Sequence, residues 1–194
     1  MEFARENEVQ WLFDHRNKPG EEPSVKVIAG LRRVGKTYLL GTLFKNFLIG
    51  EKHFKEDNIA SFDLRKIPDD GIRTAQQLKE SILGKMKENH SLSFVFVDEV
   101  QLAGDGFAET IKTLAKSFPL IDFYVTGSTS ELTSSEILAK FGSETSSLLI
   151  RPLSYREANQ VLKMSVLEYQ SYGGNPQGSF SEERGQRECF IFFA

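Results

Sequence analysis

The amino-acid sequence predicts an α/β protein, a three-layer αβα sandwich in which a mainly parallel sheet lies between two layers of helices. Largely apolar runs at residues 25–29, 59–64, 94–97 and 123–125 are typical of strands that are buried on both faces. The stretches between them space their apolar residues three and four apart, as on one face of a helix. Alternation of such strands with amphipathic helices indicates a parallel sheet covered on both sides.

The elements follow in order along the chain. An entry helix carries a short apolar cluster around Trp11, and a segment rich in Pro and Gly then forms a turn before the first strand. Helices follow the first three strands. Thr133, with Glu136 three residues later, predicts the cap of the helix after the fourth strand. The apolar stripes of the first three helices are Leu40, Leu43, Phe44, Phe47 and Leu48; Leu78, Ile82, Leu83 and Met86; and Phe107, Ile111, Leu114 and Phe118.

Composition excludes several classes of protein. The chain has 194 residues, of which 40% are hydrophobic and 26% charged, so wholesale disorder is excluded. The net charge of −3 is not the basic balance that would indicate a nucleic-acid partner. A single cysteine excludes an internal disulfide and a zinc site built on several thiolates. The sequence contains no apolar run long enough for a bilayer and no secretory signal, so we expect a cytoplasmic protein without a membrane partner.

A glycine-rich motif between the first strand and the first long helix carries the clearest chemistry. It fits the pattern G-x-x-x-x-G-K-[ST] in the context that the pattern requires. Glycines let backbone amides point at phosphate oxygens, and the following helix directs its positive dipole end to the anion. Lys36 is expected to reach the β- and γ-phosphates, and the Thr37 hydroxyl to ligate Mg²⁺. The predicted nucleotide-binding residues are Gly30, Leu31, Arg32, Arg33, Val34, Gly35, Lys36, Thr37 and Tyr38.

Two carboxylates follow the third strand. Asp98 and Glu99 come directly after the apolar residues 94–97. We expect Asp98 to hold the metal through its water shell and Glu99 to polarise the attacking water. An acidic pair in this position without a phosphate-binding loop would be an ordinary helix cap or a solvated turn. Because this pair follows a glycine-rich motif further back in the chain, we favour a metal site over a helix cap or a solvated turn.

Hydroxyl side chains stand at the tip of the fourth strand, in Thr126 and in the segment 128–130. In a doubly wound sheet this tip lies at the carboxyl edge, beside the phosphate-binding loop. A hydroxyl there can position the attacking water or sense the γ-phosphate, and Thr126 is the preferred candidate. The alternative is a Ser/Thr-rich loop that caps the next helix.

With these motifs placed, the chain resembles the bacterial and archaeal ATP-binding proteins of the AAA+ superfamily. The resemblance covers roughly residues 20–177 and rests on five motifs in the same order. It implies a P-loop ATPase module with its sheet in AAA+ strand order, usually followed by a separate C-terminal domain. The motifs in this chain are GLRRVGKT at 30–37, DEVQ at 98–101, TGSTS at 126–130, PLSYRE at 152–157 and GGNP at 173–176.

Two departures from the family pattern affect the expectations. Where the family has an arginine that is a candidate trans-acting finger, this chain has Ser143, and Arg151 and Arg156 are the nearest substitutes. We therefore expect a monomer or weak oligomer and inefficient turnover. The chain also ends soon after the last motif, as a truncated product or a naturally short paralogue would. The predicted organisation is an N-terminal helix and linker at 1–24, an ATPase core at 25–157, the start of a helical lid or connector at 158–177, and a tail at 178–194.

Three functions follow as hypotheses. The first is Mg²⁺-dependent ATP hydrolysis, with Glu99, Lys36 and Thr126 as catalytic residues and Thr37 and Asp98 as metal ligands. ATP is preferred because no guanine-reading N/TKxD motif follows the fourth strand. The second is a nucleotide-binding switch, or a remnant of a larger ATPase, without useful turnover. The third, a P-loop kinase for a small acceptor, has the weakest support. Possible partners besides ATP are a second copy of the chain or a protein client.

Overall fold

In the part of the chain that the structure describes, five strands form one sheet in which every neighbouring pair is parallel, in the order β2-β3-β4-β1-β5. This computed structural model describes residues 5–66, 71–127, 134–142, 145–163, 165–172 and 174. The strands are β1 (Val25–Gly30), β2 (Ile59–Asp63), β3 (Phe94–Asp98), β4 (Asp122–Gly127) and β5 (Thr145–Ile150). The α/β class and the parallel sheet predicted from the sequence are confirmed.

The helices alternate with the strands, as the apolar spacing predicts. Short 3₁₀ turns at Glu56–Asn58 and Val100–Ala103 precede β2 and follow β3. No helix of the described segments is long and apolar enough to cross a membrane. The α-helices are α1 (Glu6–Asp14), α2 (Lys36–Tyr38), α3 (Lys45–Gly50), α4 (Ala75–Glu88), α5 (Phe107–Ser117), α6 (Ser134–Phe141), α7 (Tyr155–Leu162) and α8 (Val166–Tyr172).

Each strand of the sheet's centre sends alternate residues into two separate hydrophobic cores. Val95 and Val97 of β3 pack in one core with α4, α5 and α6, whereas Phe94 and Phe96 pack in the other with α1, the π-helical section Leu39–Phe44 and α3. Because successive side chains of a strand point to opposite faces, a strand that is apolar throughout must be covered on both sides. The cores therefore confirm the three-layer αβα sandwich.

The strand order determines which residues meet at the carboxyl edge. β4 lies between β1 and β3, so Thr126 of β4 stands between the loop after β1 and the carboxylates after β3. Thr126 is in register with Ile28 of β1. On the other side of β3, Asp63 of β2 is the register partner of Asp98. Residues from four parts of the chain thus converge on one edge of the sheet.

Two elements differ from the expectation. Strand β5 was not predicted, because its first half, Thr-Ser-Ser, is polar and it lies at the sheet's edge, where its burial is mixed. The helix after the glycine-rich loop contains a π-helical section at Leu39–Phe44 between α2 and α3. The wider π turn buries Leu39 fully, while Leu43 of the predicted stripe is only partly buried. The predicted cap at Thr133 lies outside the described residues.

A buried ion pair fixes the opposite edge of the sheet. Lys26 of β1 is fully buried, and its Nζ lies 2.5 Å from Asp122 Oδ1 and 2.6 Å from Asn17 Oδ1. The backbone N–H of Asn17 donates to the same carboxylate oxygen at 2.7 Å. These bonds attach the linker after α1 to β1 and β4, far from the carboxyl ends of the strands.

Candidate functional site

The glycine-rich loop leaves β1 at Gly30 and enters α2 at Lys36. A side chain at Gly30 would place its Cβ 2.4 Å from the carbonyl oxygen of Ile150, so only glycine permits β5 to approach β1 this closely. Gly35, directly before α2, has φ +93°, a conformation that glycine adopts without strain. Both glycines of the motif thus serve the backbone path that brings the loop to the start of the helix.

Lys36 is turned into the loop that precedes it. Its Nζ donates to the carbonyl oxygens of Gly30 at 2.9 Å and Leu31 at 2.8 Å, and the residue is 4% exposed. Burial lowers the pKa of this ammonium, while the charges of Glu99 and Asp98 act in the opposite direction. A cation enclosed in this way is suited to an anionic ligand, which would replace the carbonyl oxygens as its partner.

Hydrogen bonds join the two halves of the predicted site. The Thr37 hydroxyl donates to Asp98 Oδ2 at 2.8 Å, and the Thr126 hydroxyl donates to Asp98 Oδ1. Thr126 Oγ1 in turn accepts the backbone N–H of Glu99 at 3.0 Å. The loop after β1, the tip of β4 and the acidic pair after β3 therefore form one network.

Asp98 is the centre of this network. Burial raises the pKa of its carboxyl, whereas the hydroxyls of Thr126 and Thr37 and the charge of Arg65 act to lower it. The guanidinium of Arg65 lies 2.8 Å from Asp98 Oδ2, so that the carboxylate contacts a cation as well as two hydroxyls. A buried carboxylate held by such partners is fixed in orientation, as a metal ligand needs to be.

Glu99 has a constrained backbone and a held side chain. Its φ of +56° places it in the left-handed region, which is uncommon for a residue other than glycine and recurs at functional sites. Gln101 donates through Nε2 to Glu99 Oε2 at 2.5 Å. The carboxylate of the predicted base is thus oriented by a side chain two residues further along the chain.

The remaining predicted nucleotide-binding residues fall into two groups. Leu31, Arg32 and Arg33 are exposed on the outer side of the loop, and Tyr38 is partly buried. The Val34 side chain belongs to the core that α1, the π-helical section Leu39–Phe44 and α3 cover, so only its backbone is available to a ligand.

The donors present fit a magnesium ion that is bound together with a phosphate ligand. Thr37 and Asp98 supply a hydroxyl and a carboxylate oxygen, the hard ligands that Mg²⁺ prefers. Across the described residues there is no group of three or more His, Cys, Asp or Glu side chains that could hold a metal. A cavity of about 230 Å³ opens beside Thr37 and Asp98. The protein alone thus offers a partial coordination shell, which is usual where phosphates and water complete it.

The sequence missed three residues of the site, Asp63, Arg65 and Gln101. Arg65 contacts Asp63 through Nε and Nη2, each at 3.1 Å, besides its contact with Asp98. Asp63 ends a predicted strand as Asp98 does, and this was a usable signal. Arg65 carried none beyond its nearness to these acidic residues, whereas Gln101 stands in the DEVQ motif that supports the family resemblance, and this was a usable signal too. Ser143 and the hydroxyls of the segment 128–130 lie outside the described residues.

The sheet order and the loop at the carboxyl edge define a P-loop NTPase fold. A family model described as AAA domain matches residues 22–159, from just before β1 into α7. The chain belongs to this AAA domain family. This confirms the resemblance noted from the motifs at the level of an AAA-type, nucleotide-binding P-loop domain.

Known proteins similar to the chain extend this picture. An uncharacterized protein of Haemophilus influenzae is 28% identical over 190 residues, covering 93% of this chain and 46% of its own length. Uncharacterized protein MJ1544 of Methanocaldococcus jannaschii is 32% identical over 134 residues, covering 69% of this chain and 27% of its own. The chain thus spans less than half of each relative. The solved S. cerevisiae Hsp104–ADP complex superposes with a TM-score of 0.56 at 18% identity, over 84% of this chain and 24% of that one, and shares the fold.

Proposed function

We propose that this domain binds ATP with Mg²⁺ and hydrolyses it to ADP and phosphate. The observation that carries the proposal is the network from Thr37 through Asp98 and Thr126 to Glu99. It joins the phosphate-binding loop to the candidate metal ligand and the candidate base. The Hsp104 structure is an ADP complex, which agrees with the preference for an adenine nucleotide.

The roles of the residues follow from their contacts. Lys36 would exchange its bonds to two loop carbonyls for bonds to the β- and γ-phosphate oxygens. Thr37 and Asp98 would hold Mg²⁺, which when bound neutralises charge on the phosphates. Glu99 would accept a proton from the attacking water, with its carboxylate oriented by Gln101.

Thr126 has a defined task within this proposal. Its hydroxyl already donates to Asp98 and accepts from the backbone of Glu99, so it orients the Asp98 carboxylate and fixes the backbone of Glu99. The predicted sensing of the γ-phosphate would require the hydroxyl to exchange its bond to Asp98 for one to phosphate. We therefore assign Thr126 first to positioning.

The experiment is steady-state release of phosphate from Mg·ATP over a range of protein concentrations. Lys36→Ala provides the blank, and Lys87→Ala, which removes an exposed lysine at the end of α4, is its control. Turnover above the blank that is unchanged in Lys87→Ala supports the proposal. A specific rate that rises with protein concentration would indicate that a second copy of the chain completes the site. A wild-type rate equal to the blank would refute hydrolysis.

A nucleotide-binding switch without turnover is the second candidate. The contact of Arg65 with Asp98 favours it, because a guanidinium stands at the carboxylate proposed to hold the metal. Glu99→Gln separates the two functions. If the domain hydrolyses ATP, this variant should bind nucleotide and lose about 100-fold or more in rate, whereas the exposed control Glu109→Gln should not. Equal rates for Glu99→Gln and wild type above the Lys36→Ala blank would refute the catalytic role of Glu99. Nucleotide binding with both rates at the blank would leave only the switch.

A further inference from the structure

One guanidinium bridges the carboxylates of two neighbouring strands. Arg65 follows β2 and pairs with Asp63 through Nε and Nη2 at 3.1 Å each. The same Nη2 lies 2.8 Å from Asp98 Oδ2 of β3. Because Asp63 and Asp98 are register partners, their like charges lie side by side, and Arg65 compensates both.

The carboxylate oxygen that Arg65 contacts is also the one bonded to the phosphate-binding loop. Asp98 Oδ2 accepts the hydroxyl of Thr37 at 2.8 Å. Under the proposed function these two residues hold Mg²⁺. A divalent ion beside Thr37 and a guanidinium on the same carboxylate oxygen repel each other, so the metal and Arg65 compete for Asp98.

We infer that Arg65 is a positioning residue that holds Asp98 before the metal–nucleotide complex enters and is displaced from Asp98 when it binds. Asp63 retains the guanidinium after displacement, through the paired contact that does not involve Asp98. The side chain of Arg65 is 43% exposed, which leaves it room to move towards solvent. This inference rests on the proposed function and adds to it a residue that competes with the metal for Asp98.

The test measures the concentration of Mg²⁺ that half-saturates binding of a fluorescent ADP analogue. ADP lacks the γ-phosphate, so any contact between Arg65 and that group is excluded from the measurement. All variants are compared at one nucleotide concentration. The formation of Mg·ADP in solution is then the same for every variant and does not contribute to the differences between them. The variants are Arg65→Met, which removes the charge at similar length, and Arg65→Lys, which retains it.

Lys66→Met is the matched control. Lys66 is 78% exposed and its Nζ lies 3.9 Å from Asp63 Oδ2, in the carboxylate that Arg65 also contacts. The control removes one positive charge from the same turn and leaves the bond to Asp98 intact. A general electrostatic effect on the metal would therefore show in both methionine variants.

We expect Arg65→Met to lower the half-saturating Mg²⁺ concentration about threefold, the scale of a partly exposed ion pair. Lys66→Met should leave it unchanged, and Arg65→Lys should fall between Arg65→Met and wild type. An unchanged or higher value for Arg65→Met overturns the inference, as does an equal shift in Lys66→Met. If wild type binds the analogue no better than Lys36→Ala, the proposed function itself fails, and the inference with it.

Discussion

Replacing Thr126 with valine removes one hydroxyl from the middle of the site and keeps the shape of the side chain. Thr126 is fully buried, between the loop after β1 and the carboxylates after β3. The substitution deprives Asp98 Oδ1 of a donor and the backbone N–H of Glu99 of its acceptor. Both groups are left at a buried position without the partner that the hydroxyl supplied.

The expected cost can be worked from these two bonds. A hydrogen bond to a charged group contributes about 1.5–3 kcal/mol, and leaving a buried backbone donor unsatisfied costs about 1–3 kcal/mol. We expect the variant to lose about 3 kcal/mol of unfolding free energy, because one small relaxation can serve both groups. For a chain of this length that is a fall in Tm of about 6–12 °C.

The loss should also depend on pH. Burial raises the pKa of Asp98 above its ordinary 3.8, with the Thr126 hydroxyl acting against this rise. A carboxyl with a raised pKa in the folded protein favours folding at low pH and loses that contribution as pH rises through its folded pKa. Without the hydroxyl the pKa rises further, so the difference between variant and wild type should grow with pH.

Thermal unfolding followed by circular dichroism at neutral and mildly acidic pH provides the measurement. Thr113→Val, at an exposed position of α5, is the control and should change stability by less than about 0.5 kcal/mol. The reasoning is refuted if Thr126→Val is as stable as Thr113→Val, or if its deficit is larger at acidic pH than at neutral pH. Either result would mean that the hydroxyl does not stabilise an ionised Asp98.

Three further predictions concern the same sheet. Lys26→Met should lower the free energy of unfolding by about 3–5 kcal/mol, because it leaves Asp122 buried without its cation. Chemical denaturation should show that adding Asp122→Asn recovers most of this loss. No recovery would contradict the contribution of the ion pair. Gln101→Ala should reduce phosphate release about tenfold by freeing the carboxylate of Glu99, with nucleotide affinity unchanged; a matching loss of affinity would point to a structural defect. Tyr124→Phe removes a 2.9 Å hydrogen bond to the backbone of α1 and should lower the free energy of unfolding by about 1 kcal/mol. Amide hydrogen exchange should then accelerate more in α1 than in α4.

Much of the fold was predictable because a strand that is buried on both faces is a continuous apolar run in the sequence. The run at 94–97 is apolar throughout, and β3 contains it with Asp98 added at its end. β5 lies at an edge of the sheet, where its burial is mixed, and its first half is polar, so the strand lacks the apolar pattern. The π-helical section at Leu39–Phe44 was beyond prediction too, since an apolar stripe fits either helical period over so short a stretch.

The site was predictable where chemistry depends on local sequence. The spacing from Gly30 to Thr37 and the carboxylates after β3 follow from the order of residues along the chain. The contact of Arg65 with Asp98 depends on β2 lying beside β3, and the amino-acid pattern does not determine that neighbour. Gln101 bonds to Glu99, which has a left-handed backbone conformation, and the sequence Asp-Glu-Val-Gln does not predict that conformation.

The strand order explains why the two sides of Asp98 have different partners. β4 lies between β1 and β3, so a residue at the tip of β4 stands beside Asp98: Thr126 donates to Oδ1, while Thr37 of α2 donates to Oδ2. On the outer side β2 brings a second carboxylate, Asp63, into register with Asp98, and the guanidinium of Arg65 compensates their like charges. Thr126 therefore holds Asp98 Oδ1 with a hydrogen bond from an uncharged hydroxyl, which is compatible with a metal ion beside the loop. Arg65 fixes it from the outside with a charged bond that a metal ion must weaken.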